Sequence, residues 1–261
     1  MRIFERKKMK LFLDANSFIE TSKPLDISIP MVASNDNLSA WYVDPPVIEP
    51  VRANGFLGSV KEGGTVNFRN IFFNPHGHGT HTECLGHITE EVYSVNDTLK
   101  EFICKAQLIT VEPKGVWNEN DTIEDFVISA NQLQLTEEKI EALIIRTLPN
   151  SINKQHKNYS ASNPPFLNLD ILPELEKKGI KHLLIDLPSV DRESDGGALA
   201  FHHGFWKVPE SPQFDKTITE LIYVEDSIED GVYIMEMQMA PFVNDASPSR
   251  PVLYAIEKEI R

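Results

Sequence analysis

The sequence has little cysteine: Cys84 and Cys104 are the only two in 261 residues. Two thiols form at most one disulfide, and a chain of this length needs none to bury a stable core. We therefore expect both thiols to be reduced, as in the cytosol. Cys84 lies among candidate site residues, but we interpret it as a buried structural thiol.

Long hydrophobic runs and dense positive charge are also missing. No apolar stretch approaches the roughly 20 residues that cross a bilayer, and the basic N-terminus is too short and broken for a secretory signal. Acidic residues outnumber basic ones 39 to 25, for a net charge of −14, which argues against binding to nucleic-acid phosphates. We expect a cytoplasmic protein with no membrane or nucleic-acid partner. Met9 is an alternative start, with residues 1–8 as a loose tail.

Strand patterns are abundant. Segments rich in β-branched and aromatic residues predict strands at 70–74, 105–112, 142–147, 181–187, 217–224, 232–239 and 251–257. A helix is predicted over 169–179, with Asp170 as N-cap and Gly179 at its end, and a shorter one within 129–141. Many strands and few helices indicate an α/β or α+β domain with a mixed β-sheet or β-barrel-like core.

The stretch "NPHGHGTHTECLGH" (74–87) holds four of the eight histidines of the chain. His81 and Glu83 are two apart, so in an extended strand they point to the same side. Converging imidazoles and a carboxylate are what Zn²⁺, Mn²⁺ or Fe²⁺ requires, and a nearby free imidazole such as His87 can move protons. A polar surface loop is the alternative, but the density of candidate ligands favours a site.

The segment "HGTHTECLGH" is similar to the signature H-x-G-T-H-x-D-x-P-x-H of the cyclase / kynurenine formamidase family of metal-dependent hydrolases. The likeness continues, in order, through "LDISIPM" (25–31), "IIRTLPN" (144–150), "KKGIKHLLIDLPSVD" (177–191), "TITELIYVEDSIEDGVYIM" (217–235) and "DASPSRPVLYAI" (245–256). It implies a single domain over 24–261, preceded by an N-terminal extension over 1–23.

The resemblance implies a β-barrel-like α/β fold, a homodimer, and a centre of one or two divalent ions, Zn or Mn. The implied activity is hydrolysis of a small amide, cyclic imide, lactone or ester, as in arylformamidases of tryptophan catabolism. By position, His81 and Glu220 resemble metal ligands, and Glu83 replaces the family's bridging aspartate. The later histidine ligand is His202, with His203 as the alternative.

Two further roles are implied for the reaction. His87 matches the histidine taken as general acid/base, and the hydroxyl of Thr80 is a candidate for stabilising an oxyanion. A bound metal would supply an activated water as nucleophile. A member of the same fold that binds a small molecule or metal without catalysis is the alternative function.

The chain departs from the signature at the first ligand. Gly77 stands where the family's first histidine belongs. A shift of one residue could supply the ligand from His76 or from His78, and we favour His76. Glu83 is one methylene longer than aspartate, and Leu85 replaces a proline, which leaves the turn before His87 less rigid.

The pocket and its neighbours are also predicted from aromatic segments. Phe205, Trp206 and the stretch 39–46 are candidates to line an apolar pocket for a ring, although plain core packing is an equal alternative for Phe205. The "SVD" segment (189–191) is interpreted as structural rather than catalytic, since aspartate commonly anchors such turns.

Overall fold

The computed structural model describes residues 9–259, so the prediction for residues 1–8 lies outside the described residues. The strands are β1 (Lys10–Phe12), β2 (Ser17–Glu20), β3 (Leu25–Asp26), β4 (Val47–Pro50), β5 (Arg52–Ala53), β6 (Phe56–Leu57), β7 (Arg69–Phe72), β8 (His81–Glu83), β9 (Ile103–Val111), β10 (Lys114–Asn118), β11 (Ile123–Ile128), β12 (Ala142–Thr147), β13 (Phe166–Leu167), β14 (His182–Ile185), β15 (Thr217–Glu220), β16 (Gly231–Met239) and β17 (Ala246–Lys258). The helices are α1 (Pro75–His78), α2 (Val95–Thr98), α3 (Leu172–Lys178) and α4 (Ala200–Trp206).

Seven strands close into a barrel-like sheet in the order β17-β16-β9-β12-β14-β15-β8, because β8 also pairs with β17. Neighbours from β9 through β12 and β14 to β15 run parallel, and the other pairs are antiparallel. The expected mixed, barrel-like α+β fold is therefore confirmed. All seven predicted strand segments contain a strand, although the first, β7, pairs with β4 outside the barrel.

The core explains why the first four residues of β12, 142–145, are all apolar. Every residue of β12 is buried, as expected for a strand covered on both faces. Leu143 and Ile145 pack on one face with residues of α3 and α4, whereas Ala142 and Ile144 join a second cluster with side chains of β9, β16 and β17. Alternate side chains of β12 thus pack against the helices on one face of the sheet and join the second cluster on its other face.

Both helix predictions need correction. The segment 129–141 contains only a 3-10 turn, Ala130–Gln132, closed by a capping box between Ser129 and Gln132. α3 begins at Leu172 after a separate 3-10 turn, and Asn168 rather than Asp170 caps that turn. Gly179 ends α3 in the left-handed conformation, as predicted.

Part of the predicted N-terminal extension belongs to the main sheet. β1 pairs with β2, and β2 pairs with the C-terminal end of β17. The expected boundary near residue 24 therefore does not coincide with a break in the sheet. Both cysteines are free and buried. Within residues 9–259 no helix has the length and apolar character needed to cross a bilayer.

Candidate metal centre

β8 carries the centre because it lies between two strands. His81 is the pairing partner of Glu220 on β15, and Glu83 pairs with Ala246 on β17. As predicted, His81 and Glu83 point to the same side, and both are completely buried. The Nε2 atom of His81 is 3.5 Å from Oε2 of Glu220. Closure of the barrel thus places three predicted residues at one point.

The single turn of α1 separates the two candidates for the first ligand. Nδ1 of His76 lies 3.0 Å from Oε2 of Glu83. His78 faces the other way: its Nδ1 accepts the Asn74 N–H at 2.9 Å, and its Nε2 donates to the Asp44 carbonyl at 2.7 Å. The structure therefore brings His76, and not His78, into the centre.

The turn that begins α4 positions His202. Its Nε2 lies 3.0 Å from Oε1 of Glu83, and its Nδ1 lies 2.6 Å from Oδ2 of Asp191. Asp191 also accepts the backbone N–H groups of Phe201 and His202, which agrees with the structural role predicted for this segment. The neighbouring His203 points elsewhere, with Nδ1 3.1 Å from the Val208 carbonyl.

His87 lies at the solvent side of the centre, with 30% of its side chain exposed. Its ring stacks on that of His76 with centroids 4.3 Å apart. Nε2 of His87 is 3.9 Å from Oε2 of Glu83, and Nδ1 is 3.4 Å from Oδ2 of Asp245. The same oxygen of Asp245 is 2.9 Å from Nε2 of His76.

Asp245 is the site residue that the sequence analysis missed. It is the first residue of the "DASPSRP" segment, which resembles the family's C-terminal segment. A lone aspartate next to a strand, however, does not by itself indicate a functional residue. Its place is set by the pairing of β17 with β8, which sequence patterns do not specify.

Three predicted residues have other surroundings. The hydroxyl of Thr80 donates to the Leu221 carbonyl at 2.6 Å and accepts the Ile29 N–H at 2.8 Å, so its only proton is committed to the fold rather than to an oxyanion. Phe205 and Trp206 are buried in the core cluster behind His202 and do not line the pocket. For Phe205 this is the core-packing alternative, and for Trp206 it corrects the prediction.

Burial and the contacts between histidines and carboxylates act in opposite directions on the pKa values of the centre. Burial lowers the pKa of His202, but Asp191 and Glu83 outweigh it and raise the pKa to about 10. Burial also lowers the pKa of His76, but contacts with Asp245 and Glu83 have the larger effect and raise it to about 10. Burial raises the pKa of Glu83, but the surrounding histidines hold it well below its usual range. Metal binding would therefore release protons, since imidazole binds metals in its neutral form.

The donor set fits a divalent metal. Among the described residues, Nε2 of His81 is a buried side-chain polar atom without a hydrogen-bond partner, an arrangement that is costly in the absence of a ligand. Oε2 of Glu83 beside it has an ion-pair contact with Nδ1 of His76 at 3.0 Å. Nδ1 of His81 lies 3.0 Å from the Gly79 carbonyl, which leaves Nε2 as the free lone pair. His81 and Glu83 also form a cluster of metal-ligand spacing with His76, and Glu83 forms another with His87 and His202.

A cavity of about 290 Å³ opens onto the centre. It is lined by Trp41, Asn74, His76, His87, Ser189, Leu199, His202 and Glu220. Trp41 and Leu199, its apolar walls, both have left-handed backbone conformations, with φ of 61° and 42°. Such strained positions persist where surrounding contacts impose them, and they are frequent at ligand sites. The predicted aromatic contribution of segment 39–46 is confirmed for Trp41.

Comparison with known proteins identifies a family that the chain matches. A profile of the Cyclase family matches residues 25–192. The kynurenine formamidase of Bacillus anthracis is 28% identical over 241 residues, which cover 91% of this chain and 100% of that protein.

Two solved structures share the fold. A potential metal-dependent hydrolase with cyclase activity superposes with a TM-score of 0.60 at 16% identity, covering 91% of this chain and 99% of its own. An isatin hydrolase bound to the product analogue thioisatinate gives a TM-score of 0.63 at 14% identity, with 90% and 93% covered.

Proposed function

The chain belongs to the Cyclase family, and we propose that it is a metal-dependent hydrolase of small amides and cyclic amides. The observation that carries this proposal is the buried His81 Nε2, which has no hydrogen-bond partner, beside the buried carboxylate of Glu83 and next to His76, His202 and Glu220, which line a solvent-connected cavity. The kynurenine formamidase and isatin hydrolase to which the chain is similar support the same reaction class.

Five residues would hold the metal: His76, His81, Glu83, His202 and Glu220. Glu83 directs Oε1 to His202 and Oε2 to His76, so its carboxylate connects two of the candidate histidine ligands. The mixture of imidazole and carboxylate donors suits Zn²⁺ or Mn²⁺. When bound, the metal supplies a Lewis acid that lowers the pKa of water to near neutrality.

His87 is the proton-transfer residue in this proposal. Its Nε2 is directed towards Glu83, and part of its ring is open to the cavity. An imidazole in that position can accept a proton from water and return it to the departing nitrogen. The stacked His76 ring keeps the imidazole of His87 in place.

The cavity favours a small, uncharged, flat substrate. Its volume of about 290 Å³ accommodates one ring system, between the apolar side chains of Trp41 and Leu199. None of the lining residues named above is a lysine or arginine that would pair with an anionic substituent. Aryl formamides and ring-fused cyclic amides fit this description.

We also propose that the protein is a cytoplasmic homodimer. Two unpaired thiols fit a reducing compartment. The arm formed by residues 47–72 exposes apolar side chains, including Phe68 at 59% and Phe72 at 57% exposure. Such contiguous apolar surface is typical of association sites.

Metal analysis and hydrolysis assays test the function together. Purified protein is expected to contain a divalent metal and to hydrolyse formanilide or a ring-fused cyclic amide. Removal of the metal with a chelator should abolish turnover, and adding Zn²⁺ or Mn²⁺ should restore it. Protein that takes up neither ion and hydrolyses none of these compounds would contradict the proposal and favour a binding protein without catalysis.

Variants separate ligands from the proton-transfer residue. His81→Ala and Glu220→Ala should lose metal. His87→Ala should keep its metal and lose turnover by about 10²–10⁴-fold, the usual contribution of a general acid or base. Loss of metal from His87→Ala would instead make His87 a ligand.

A further inference from the structure

Asp245 lies on the outer side of the centre and contacts two of its histidines with one oxygen. Oδ2 of Asp245 is 2.9 Å from Nε2 of His76 and 3.4 Å from Nδ1 of His87. The opposite nitrogens, Nδ1 of His76 and Nε2 of His87, lie 3.0 and 3.9 Å from Oε2 of Glu83. Two stacked imidazoles are thus held between an inner carboxylate, Glu83, and an outer one, Asp245.

This arrangement determines which nitrogen carries a hydrogen on each ring. A carboxylate accepts N–H groups, so Asp245 keeps a hydrogen on Nε2 of His76 and on Nδ1 of His87. The inner nitrogens are therefore the ones that present lone pairs once a metal ion has displaced the hydrogen that Glu83 accepts from Nδ1 of His76. His76 needs that lone pair to bind a metal, and His87 needs it to take a proton from water.

The backbone holds Asp245 independently of its side chain. Its carbonyl accepts the Cys84 N–H at 3.1 Å, and the next residue, Ala246, pairs with Glu83. The distance between the inner and outer carboxylates is therefore fixed by the pairing that closes the barrel. Removing the side chain of Asp245 leaves this backbone pairing in place.

Asp191 acts on His202 in the same way but on one histidine only. Its Oδ2 is 2.6 Å from Nδ1 of His202, whose Nε2 faces Glu83. Asp245 differs from Asp191 because one of its oxygens contacts both His76, a candidate ligand, and His87, the candidate proton-transfer residue.

We propose that Asp245 is a positioning residue shared by His76 and His87, so that one carboxylate sets both metal affinity and proton transfer. The inference rests on the proposed function, since it assigns Asp245 to the same centre. Asp245, His76 and His87 also form a cluster of metal-ligand spacing, so the test distinguishes positioning of the two histidines from binding of a separate ion.

The test compares Asp245→Ala and Asp245→Asn with the wild type. Affinity of the metal-free protein for Zn²⁺ is measured by competition with a chromogenic chelator, and kcat and KM are measured at saturating Zn²⁺. We expect Asp245→Ala to lower Zn²⁺ affinity by about 10–100-fold and kcat by a similar factor, with little change in KM. Asp245→Asn keeps an oxygen acceptor and should recover part of both losses.

Asp230→Ala is the matched control. Asp230 accepts hydrogen bonds from Thr110 and pairs with Arg146, away from the centre. This variant should lose thermal stability while its Zn²⁺ affinity and kcat stay within about twofold of wild type, as expected for a carboxylate whose contacts are structural.

The inference is overturned if Asp245→Ala retains both Zn²⁺ affinity and kcat, or if only one of the two falls. It is also overturned if Asp245→Ala binds one Zn²⁺ fewer with kcat unchanged, because Asp245 would then be a ligand of a separate ion. Wild-type protein that neither binds Zn²⁺ nor hydrolyses a substrate overturns the proposed function and this inference together, whereas an active wild type with an unaffected Asp245→Ala overturns the inference alone.

Discussion

At the scale of single residues, Gly77 explains why the first histidine of the signature has moved. A Cβ atom at this position would lie 2.7 Å from Cγ2 of Val43 and 3.0 Å from the carbonyl oxygen of Ala40. The carbonyl of Gly77 also accepts the Ala40 N–H. Close backbone packing therefore excludes a side chain at 77, and the turn of α1 presents His76 instead.

The pair His76→Ala and His78→Ala tests this relocation. His76→Ala should lose metal, because it removes a donor that faces Glu83. His78→Ala should keep its metal but lower the free energy of unfolding by about 1–3 kcal/mol, since the Asn74 N–H and the Asp44 carbonyl lose their partner. Metal analysis and chemical denaturation measure the two effects. Metal loss from His78→Ala alone would reverse the assignment.

Glu83 is the second departure, and the strand that carries it cannot shift to compensate for a shorter side chain. β8 is paired on both sides, with Glu83 opposite Ile218 and Ala246. Glu83→Asp would withdraw the carboxylate by about 1.5 Å, one C–C bond, from His76 and His202. We expect Zn²⁺ affinity to fall at least about tenfold. Chelator competition measures this loss, and unchanged or tighter binding would show that the centre does not depend on the longer side chain.

The sequence predicts which residues form the centre better than it predicts the contacts that those residues make. Spacing along β8 was sufficient to place His81 and Glu83 on one side. The choice between His76 and His78 depends on a single helical turn, and the role of Asp245 depends on strands far apart in sequence, as in the pairing of Glu83 with Ala246, 163 residues later. Local patterns carry no information on such pairings.

At the scale of elements, the seven predicted strand segments each contain a strand, but the other strands, among them β10 and β11, and the short helices were not predicted. The run 142–145 is apolar because both faces of β12 are covered, and such a run can be recognised from the sequence without knowing which strands lie beside it. α4 escaped prediction because its seven residues are held by tertiary contacts, above all the Asp191 carboxylate at its first turn. Isolated helices of this length are unstable in water.

The β14–β15 pair contains a buried histidine that makes stability depend on pH. His182 pairs with Thr217, and its Nδ1 is 2.9 Å from the threonine hydroxyl. Burial, with a smaller effect of Lys181, lowers its pKa to about 4, whereas an unfolded histidine titrates near 6.5. Between these two pKa values the unfolded state binds more protons than the folded state. The contribution of His182 to the free energy of unfolding is therefore fully present above pH 6.5 and is lost as the pH falls towards 4.

His182→Gln should remove this dependence. The shift corresponds to about 3 kcal/mol lost by the wild type between pH 6.5 and 4, and the variant should lose correspondingly less over the same interval. Urea unfolding in the presence of a chelator measures it without a contribution from metal release. His156→Gln, at an exposed histidine, is the control and should follow the wild type. Equal slopes for wild type and His182→Gln would contradict the prediction.

At the scale of the whole molecule, an acidic chain must associate through surface that is not charged. The net charge of −14 makes two copies repel each other, so a dimer requires apolar contact. In the proposed dimer the arm would supply this contact: Phe56 and Phe68 meet edge to face at 5.9 Å, and Ile71 and Phe72 are more than half exposed. The arm leads directly into Asn74 and α1, so association there lies beside the candidate centre.

Phe72→Glu should therefore weaken the dimer at least about tenfold, the effect expected at a central apolar contact that receives a charge. Sedimentation at several concentrations measures the dissociation constant. Trp117→Glu, which changes a large aromatic side chain that is 62% exposed on β10, should leave the dissociation constant unchanged. Added salt should tighten the wild-type dimer, because ions screen the repulsion between two acidic protomers while apolar contacts persist. A wild type that stays monomeric, or a dimer insensitive to both Phe72→Glu and Phe68→Glu, would exclude the arm as the interface.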